Sequence, residues 1–492
     1  MTPISDYTEA VRKARPLLNE LINEFGELSV LDFANHLFQR GEMQSQIFRP
    51  EFINLLSLTF PETPKDIINQ FDISLRKNPI VSTADHHSII NHPVYLNSNI
   101  LLSLFARNFS QEKLPIVSPP VLSFSAIPLN NNAFPKGILL ATSEGEKRFS
   151  FFGSKQRHQA VCLTEPLSFS EKQINTWLKY NSESFTKDEL AFIGKMILNL
   201  SSTSEINSCQ TFAEQTKVFN DWLWEKIFPG SKLCFFPIEK LTKYFFSKIL
   251  IKEKSLPLYK FFFDFPLSKQ NELFNGIYGA WDLIKIEKWQ AGGGTSFFWG
   301  TNKEKRIIPL KRVSSILIAE DESFKPIKWN PQDLAYALEE ERIIPSILTD
   351  YLVIAGHYGL CCSGGFNQIG YLTPILKQYQ KALLEISKEE SQRVEKIITD
   401  VAHMILYFLF GEDKNKVVPL CSFNILQAKE ELDSIESILN KVKLKKAFEI
   451  TAPLIFPFIV EPKVKEKMGF SFQEVFLQLK NIMPEELIIQ KW

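Results

Sequence analysis

The chain has no excess of either charge: 56 lysines and arginines balance 56 aspartates and glutamates across 492 residues. Nucleic-acid binders draw most of their affinity from phosphate contacts, so a basic excess or a basic stripe is expected of them. Neither is present, and no nucleic-acid partner is expected. The nearest basic run, Lys441-Val442-Lys443-Leu444-Lys445-Lys446, alternates with apolar residues and reads as one helix face. Long apolar runs are missing too. The most apolar stretches, 343–360 and 401–410, are broken by Asp350 or too short to span a bilayer. Met1-Thr2-Pro3-Ile4-Ser5-Asp6 is not a basic segment leading into an apolar one, so neither a secretory signal nor a membrane role is expected. The cysteines, Cys162, Cys209, Cys234, Cys361, Cys362 and Cys421, include no C-x-x-C pair. Their spacing suits neither a zinc ribbon nor a secreted disulfide framework, and fits reduced thiols in a cytoplasmic protein. Low-complexity linkers and internal repeats are also absent.

Phenylalanine is abundant, with 42 copies against 6 methionines. Such large apolar side chains read first as core and second as an aromatic ligand groove. The length implies about two to four packed units. The pattern divides into an N-terminal helical segment (1–77), the first part of a core (78–169), a helical insertion (170–289), the second part of the core (290–384), a coiled-coil helical hairpin (385–445) and a C-terminal segment (446–492).

In the first segment, Asp6 and Glu9 have capping-box spacing before an amphipathic stretch ending near Phe25. Ile80-Val81-Ser82-Thr83-Ala84 is a β-type run. Asp85-His86-His87-Ser88-Ile89-Ile90-Asn91-His92 follows, then apolar residues at helical spacing from Val94 to Phe105 with Pro93 at a first helical position, then Val121-Leu122-Ser123-Phe124. Strand, loop, helix and strand make a βαβ unit, which predicts parallel neighbours with ligands bound beyond the strands' carboxyl ends. Residues 137–152 read as a hairpin turning at Ser143-Glu144-Gly145-Glu146. Thr186-x-x-Glu189 is a capping box, and Asn330-Pro331 starts a helix. Two later stripes step by three and four: Val394, Ile397, Val401, Met404 and Phe408, then Ile425, Ala428, Leu432, Ile435, Leu439 and Val442. They predict helices over 391–410 and 423–444, paired antiparallel within the chain or forming a dimer seam.

Asp85, His86, His87 and His92 are the densest polar cluster and the candidate catalytic residues. Imidazoles there could hold a metal, donate to phosphate oxygens or work as acid and base. A hydrogen-bonded loop without catalytic duty would carry the same residues. The triplet resembles that of the Asp-His-His phosphoesterases, which bind two metals with further upstream aspartates, but no Asp-x-Asp precedes residue 85. Lys155, Arg157 and His158 could clamp a phosphate or carboxylate, or form a solvated basic turn. Gly292-Gly293-Gly294-Thr295 lacks the spacing of a phosphate-binding fingerprint and reads as a flexible connection. In Gly364-Gly365-x-x-Gln368-x-x-Tyr371, two glycines free the backbone and two polar side chains follow. A helix beginning there would turn its N–H groups toward an anion, while a tight turn would explain the glycines alone.

Three features in order resemble the bacillithiol-synthesis cysteine-adding enzymes: the strand, polar loop and helix from Ile80 through Phe105; Thr295-Ser296-Phe297-Phe298-Trp299 followed by Arg306-Ile307-Ile308-Pro309-Leu310; and Arg342-Ile343-Ile344-Pro345-Ser346 leading to the Gly364-Gly365 segment. Where that family typically has Gly-Gln-Gln this chain has Asp85-His86-His87, and Gln368 stands where Glu is typical. The resemblance implies an α/β fold: a Rossmann-like parallel-sheet core with helical connecting regions and a C-terminal antiparallel coiled-coil hairpin that can dimerise. It also implies nucleotide binding, ATP or ADP, and the joining of an amino acid to an amine. The expected function is therefore a small-molecule biosynthetic enzyme, ligase-like or a transferase, that forms a carbon–nitrogen bond. In it Asp85, His86, His87 and His92 handle protons or phosphate, opposite a wall of Gly364, Gly365, Gln368 and Tyr371. The alternatives are a metal-dependent hydrolase on the same histidines, with the metal left open, and a non-catalytic coiled-coil assembly protein.

Overall fold

Five short apolar runs pair side by side: Ile80–Ser82 (β1), Val121–Ser123 (β2), Phe235–Pro237 (β3), Cys361–Gly365 (β4) and Ala402–Met404 (β5). Their sheet is parallel throughout, in the order β5-β4-β1-β2-β3. This is seen in a computed structural model that describes residues 2–109, 115–142, 144–277, 297–365, 367–404, 406–413, 415–428 and 432–491. From the far edge the order is 3-2-1-4-5, that of a doubly wound, Rossmann-like sheet, and the direction of winding reverses between β1 and β4.

Side chains alternate across the sheet with the period of two that a strand imposes. Ile80, Val121, Phe235 and Cys361 enter one hydrophobic core, while Val81, Leu122, Phe236 and Cys362 enter the other. Both faces are covered, which explains why the strands read as unbroken apolar runs. Helix Pro93–Phe109 (α1) connects β1 to β2. A long connection then leads to β3 through the hairpin Gly137–Thr142/Gly145–Ser150 and helices such as Phe212–Ile227. Ile238–Tyr244 (α2) leaves β3, and Gln368–Ile386 (α3) leaves β4.

The expected parallel pairing of β1 with β2 is present, at Ser82 opposite Val121. The hairpin forms in register, Gly137 opposite Ser150, although Ser143 of its turn lies outside the described residues. At the Thr186 cap, the Glu189 N–H donates to Thr186 Oγ1 at 3.2 Å and the Thr186 N–H to Glu189 Oε2 at 2.7 Å. The Asp333 N–H donates to Asn330 Oδ1 at 2.9 Å, so the Asn330-Pro331 start is also as read. Gly292-Gly293-Gly294-Thr295 is outside the described residues.

Two expectations need correction, while the described part of 170–289 is mainly helical and also supplies β3. Asp6 is not a cap: the first helix, Ile4–Ala14, starts after Pro3, and a break at Arg15 separates it from Pro16–Phe25. The coiled-coil hairpin is not formed. The helix Lys388–Glu395 ends early, and Ala402–Met404 is a strand with Ala402 opposite Gly364. The physical reason is burial on all sides. Val401, Ala402, His403, Leu406, Tyr407, Phe408, Leu409 and Phe410 are all inside, so their spacing does not make a one-sided stripe. The second stripe is split between Ser422–Ala428 and Leu432–Leu439, whose Ile425, Ile435 and Leu439 enter the first core of this same chain. The expected dimer seam has no helix pair to form on.

Candidate functional site

The sheet's reversal point is held by one side chain. Gln368, in the first turn of α3, is buried; its Nε2 donates to the Cys362 carbonyl at 2.9 Å. Its Oε1 accepts from Thr83 Oγ1 at 2.7 Å and from Tyr351 Oη at 2.6 Å. Thr83, just past β1, also donates its N–H to the Ser363 carbonyl at 2.8 Å. The carboxyl ends of β1 and β4 are thereby tied together. Gly364 is required by this packing: a β carbon there would stand 1.9 Å from Gln368 Oε1.

Beyond β1 the chain stays paired with the end of β2, the Phe124 N–H donating to the Asp85 carbonyl at 2.9 Å and the His87 N–H to the Phe124 carbonyl at 2.7 Å. This extended course turns Asp85 and His87 one way and His86 the other. Asp85 is buried, accepts from Asn99 Nδ2 at 2.8 Å, and is raised to about 7 by desolvation. His87 spends both nitrogens, on Ser123 Oγ at 2.7 Å and on the Ala213 carbonyl at 2.8 Å. Burial lowers its imidazole to about 4. Neither of the two lines the cavity described next, so the Asp-His-His triplet does not converge on one centre. Among the described residues no group of three or more His, Cys, Asp or Glu side chains is placed to hold a metal ion.

A cavity of about 390 Å³ lies over the reversal point. His86 and His92 line it from one side, Gly365, Gln368 and Tyr371 from the other. Five of the expected site residues, distant in sequence, thus meet, while Gly364 stands just behind its wall. His86 Nδ1 lies 2.8 Å from Asn131 Oδ1 and 3.1 Å from Tyr95 Oη. A proton on Nδ1, given to the Asn131 carbonyl oxygen, leaves Nε2 with a free lone pair. Burial lowers the His86 pKa, and it lowers His92 to about 3, with Arg148 and His86 adding to the effect. Both rings are neutral at neutral pH.

Lys155, Arg157 and His158 are not in this cavity. They are exposed on the short helical turn Ser154–Gln156 and just after it, where Arg157 Nε donates to His158 Nε2 at 2.9 Å. The Arg157 carbonyl accepts from the Asn130 N–H at 2.9 Å and so braces the loop that carries Asn131.

Glu239 was not singled out from the sequence. It follows β3 by two residues and is buried in the cavity wall. Its carboxylate accepts from the Ser125 N–H at 2.9 Å, Ser125 Oγ at 2.6 Å and the Ala126 N–H at 2.7 Å. Desolvation raises its pKa against those bonds, and the same cause raises that of the buried Asp350, with the like charge of Glu239 adding to it. Tyr95 and Asn131, which hold His86, were missed as well. The signal for Glu239 was its place after an apolar triplet, but that triplet reads as part of a helix. No known protein-family model matches the chain, and no curated protein matches it.

Proposed function

We propose that the chain is a small-molecule biosynthetic enzyme, ligase-like or a transferase, that joins an activated acyl group to an amine in the cavity between β1 and β4. The observation that carries this reading is the convergence of a neutral His86, with Nε2 free, and the N-terminus of α3 on one cavity at the reversal point of the sheet. Open α/β sheets bind their ligands at such a point.

In this reading an amine attacks the acyl carbon, the carbon–nitrogen bond forms as the bond to the leaving group breaks, and the proton shed by nitrogen passes to His86 Nε2. Asn131 and Tyr95 keep the ring turned for that transfer. Glu239, fixed by Ser125 and Ala126, is placed to attract the cationic form of the amine before it loses its proton. In this reading a nucleotide is held at the start of α3, where Gln368 and the preceding Asn367 line the cavity; Arg15 holds Asn367 Oδ1 at 2.7 Å. Tyr371, Phe124 and Trp299 offer faces for its base. When bound, the nucleotide supplies the activation of the acid. The resemblance to the cysteine-adding enzymes points the same way.

The test is to incubate the purified chain with ATP, mixed amino acids and a panel of primary amines, following ATP by ³¹P NMR. Consumption that depends on the amine is expected, and His86→Asn is expected to slow it about 100-fold or more with little change in melting temperature. Consumption indifferent to the amine or to His86→Asn contradicts the reading.

A further inference from the structure

Behind Glu239 lies a second chamber, of about 240 Å³. It shares Glu239 and Pro345 with the cavity at the reversal point, so these two residues form the partition between the spaces. The Glu239 carboxylate itself sits at that partition. Of the residues that donate to it, Ser125 lines the second chamber and Ala126 lines the first. The strand Ile343–Pro345 runs past it from one space to the other: Ile343 and Ile344 line the second chamber, and Ile347 lines the first.

The lysines that line the second chamber are all matched. Lys240 pairs with Glu214 at 3.2 Å, Lys243 with Glu341 at 3.5 Å and Lys248 with Glu339 at 2.8 Å, and all three glutamates line the chamber too. Lys240, Lys248, Glu339 and Glu341 are exposed, so the paired charges face solvent. Glu239 is the acid left over. It is buried, and among the described residues it has no cation within ion-pair distance. The first cavity supplies none either: among the described residues of its wall Glu239 is the one carboxyl group, and the histidines there are neutral. The remaining wall of the second chamber is mostly apolar, with Leu163, Pro237 and Leu338 beside the two isoleucines. Burial, with Glu239 and Glu341 adding to it, pushes the Cys162 thiol up, so Cys162 enters as an uncharged wall. A buried carboxylate without a counter-charge is costly, and a ligand cation offsets that cost.

We propose that the second chamber houses the body of the amine substrate, a primary amine on an apolar group, with its ammonium on Glu239 and its nitrogen turned into the first cavity. The proposal rests on the reading above and names the class of its amine. The lone carboxylate matches a single positive charge, and the apolar wall matches an uncharged body. His86 and Glu239 line the same cavity, so an amine held from behind presents its nitrogen to the space assigned to the acyl group. The two substrates then reach the partition from opposite sides.

The test is calorimetric titration of the full chain with phenethylamine, 2-phenylethanol and methylamine. Phenethylamine is expected to bind at least about tenfold more tightly than 2-phenylethanol, which lacks the charge, and than methylamine, which lacks the body. Glu239→Gln keeps an oxygen to accept from Ser125 and is expected to weaken phenethylamine about tenfold or more. Leu163 lines the second chamber and not the first, and is half-buried. Leu163→Trp narrows the chamber without touching Glu239, and a loss of about tenfold is expected there as well; circular dichroism confirms that each variant is folded. Should Glu239→Gln not fold, Leu163→Trp decides. Binding is read without turnover, so a failed condensation assay and a failed amine chamber are told apart. Phenethylamine that binds no better than 2-phenylethanol, does not bind at all, or binds folded Glu239→Gln or Leu163→Trp as well as the parent chain overturns the proposal.

Discussion

Gly364 has no room for a β carbon, because the Gln368 carbonyl oxygen occupies that place. Gly364→Ala therefore has to displace Gln368 and break its bonds to Thr83, Tyr351 and Cys362. Overpacking of this kind costs about 1–3 kcal/mol, and urea unfolding of Gly364→Ala should show a loss in that range. In Gly364→Ala/Gln368→Ala the obstruction is gone and the second substitution should cost less than it does alone; strict additivity of the two would contradict the account. The sequence made these residues conspicuous but not their relation. Two adjacent glycines suggest unusual backbone angles, whereas the need at Gly364 comes from a side chain four positions on. The histidines show the same limit. Their clustering was visible, but only the pairing of 85–87 with Phe124 separates His86, which faces the cavity, from His87, which is consumed by Ser123 and Ala213.

At the level of elements, β1, α1, β2, the hairpin and two helix caps were legible because each carries a local signal: alternation, a first-turn proline, a cap residue with its partner. β3 and β5 were not. Phe235–Pro237 is a triplet between helices, and Ala402–Met404 lies in a run that is apolar on every side. Short runs buried all round give no period by which strand and helix differ. The same ambiguity produced the expected coiled coil. Ile435 was assigned to a helix–helix seam, and it is fully buried in the core of its own chain, in the helix Leu432–Leu439 beside α1. Ile435→Asp places an unpaired carboxylate there and should cost about 3 kcal/mol or more in urea unfolding, with no change in molecular mass by light scattering. A halved mass with stability retained would restore the seam.

Across the whole molecule, the sheet of order 3-2-1-4-5 separates two cores and leaves its reversal point open between them. No helix among the described residues is long and apolar enough to cross a membrane. Segments far apart in sequence supply the walls of the opening: Thr83, His86, His92 and Tyr95 after β1, Ala126 and Asn131 after β2, Glu239 after β3, and Gly365, Asn367, Gln368 and Tyr371 at and beyond the end of β4. Convergence of this kind is a property of topology: the wall after β1 is legible because its strand is, the Gly364–Tyr371 wall is legible from its two glycines and polar side chains although β4 itself is not, and Glu239, after an unrecognised β3, carries no such signal. The central claim is that these walls form one ligand site. Hydrogen–deuterium exchange of the chain with and without ADP tests it most directly. The account predicts that ADP slows exchange in 83–95 and in 367–371 together; protection of one segment without the other, or of neither, contradicts it.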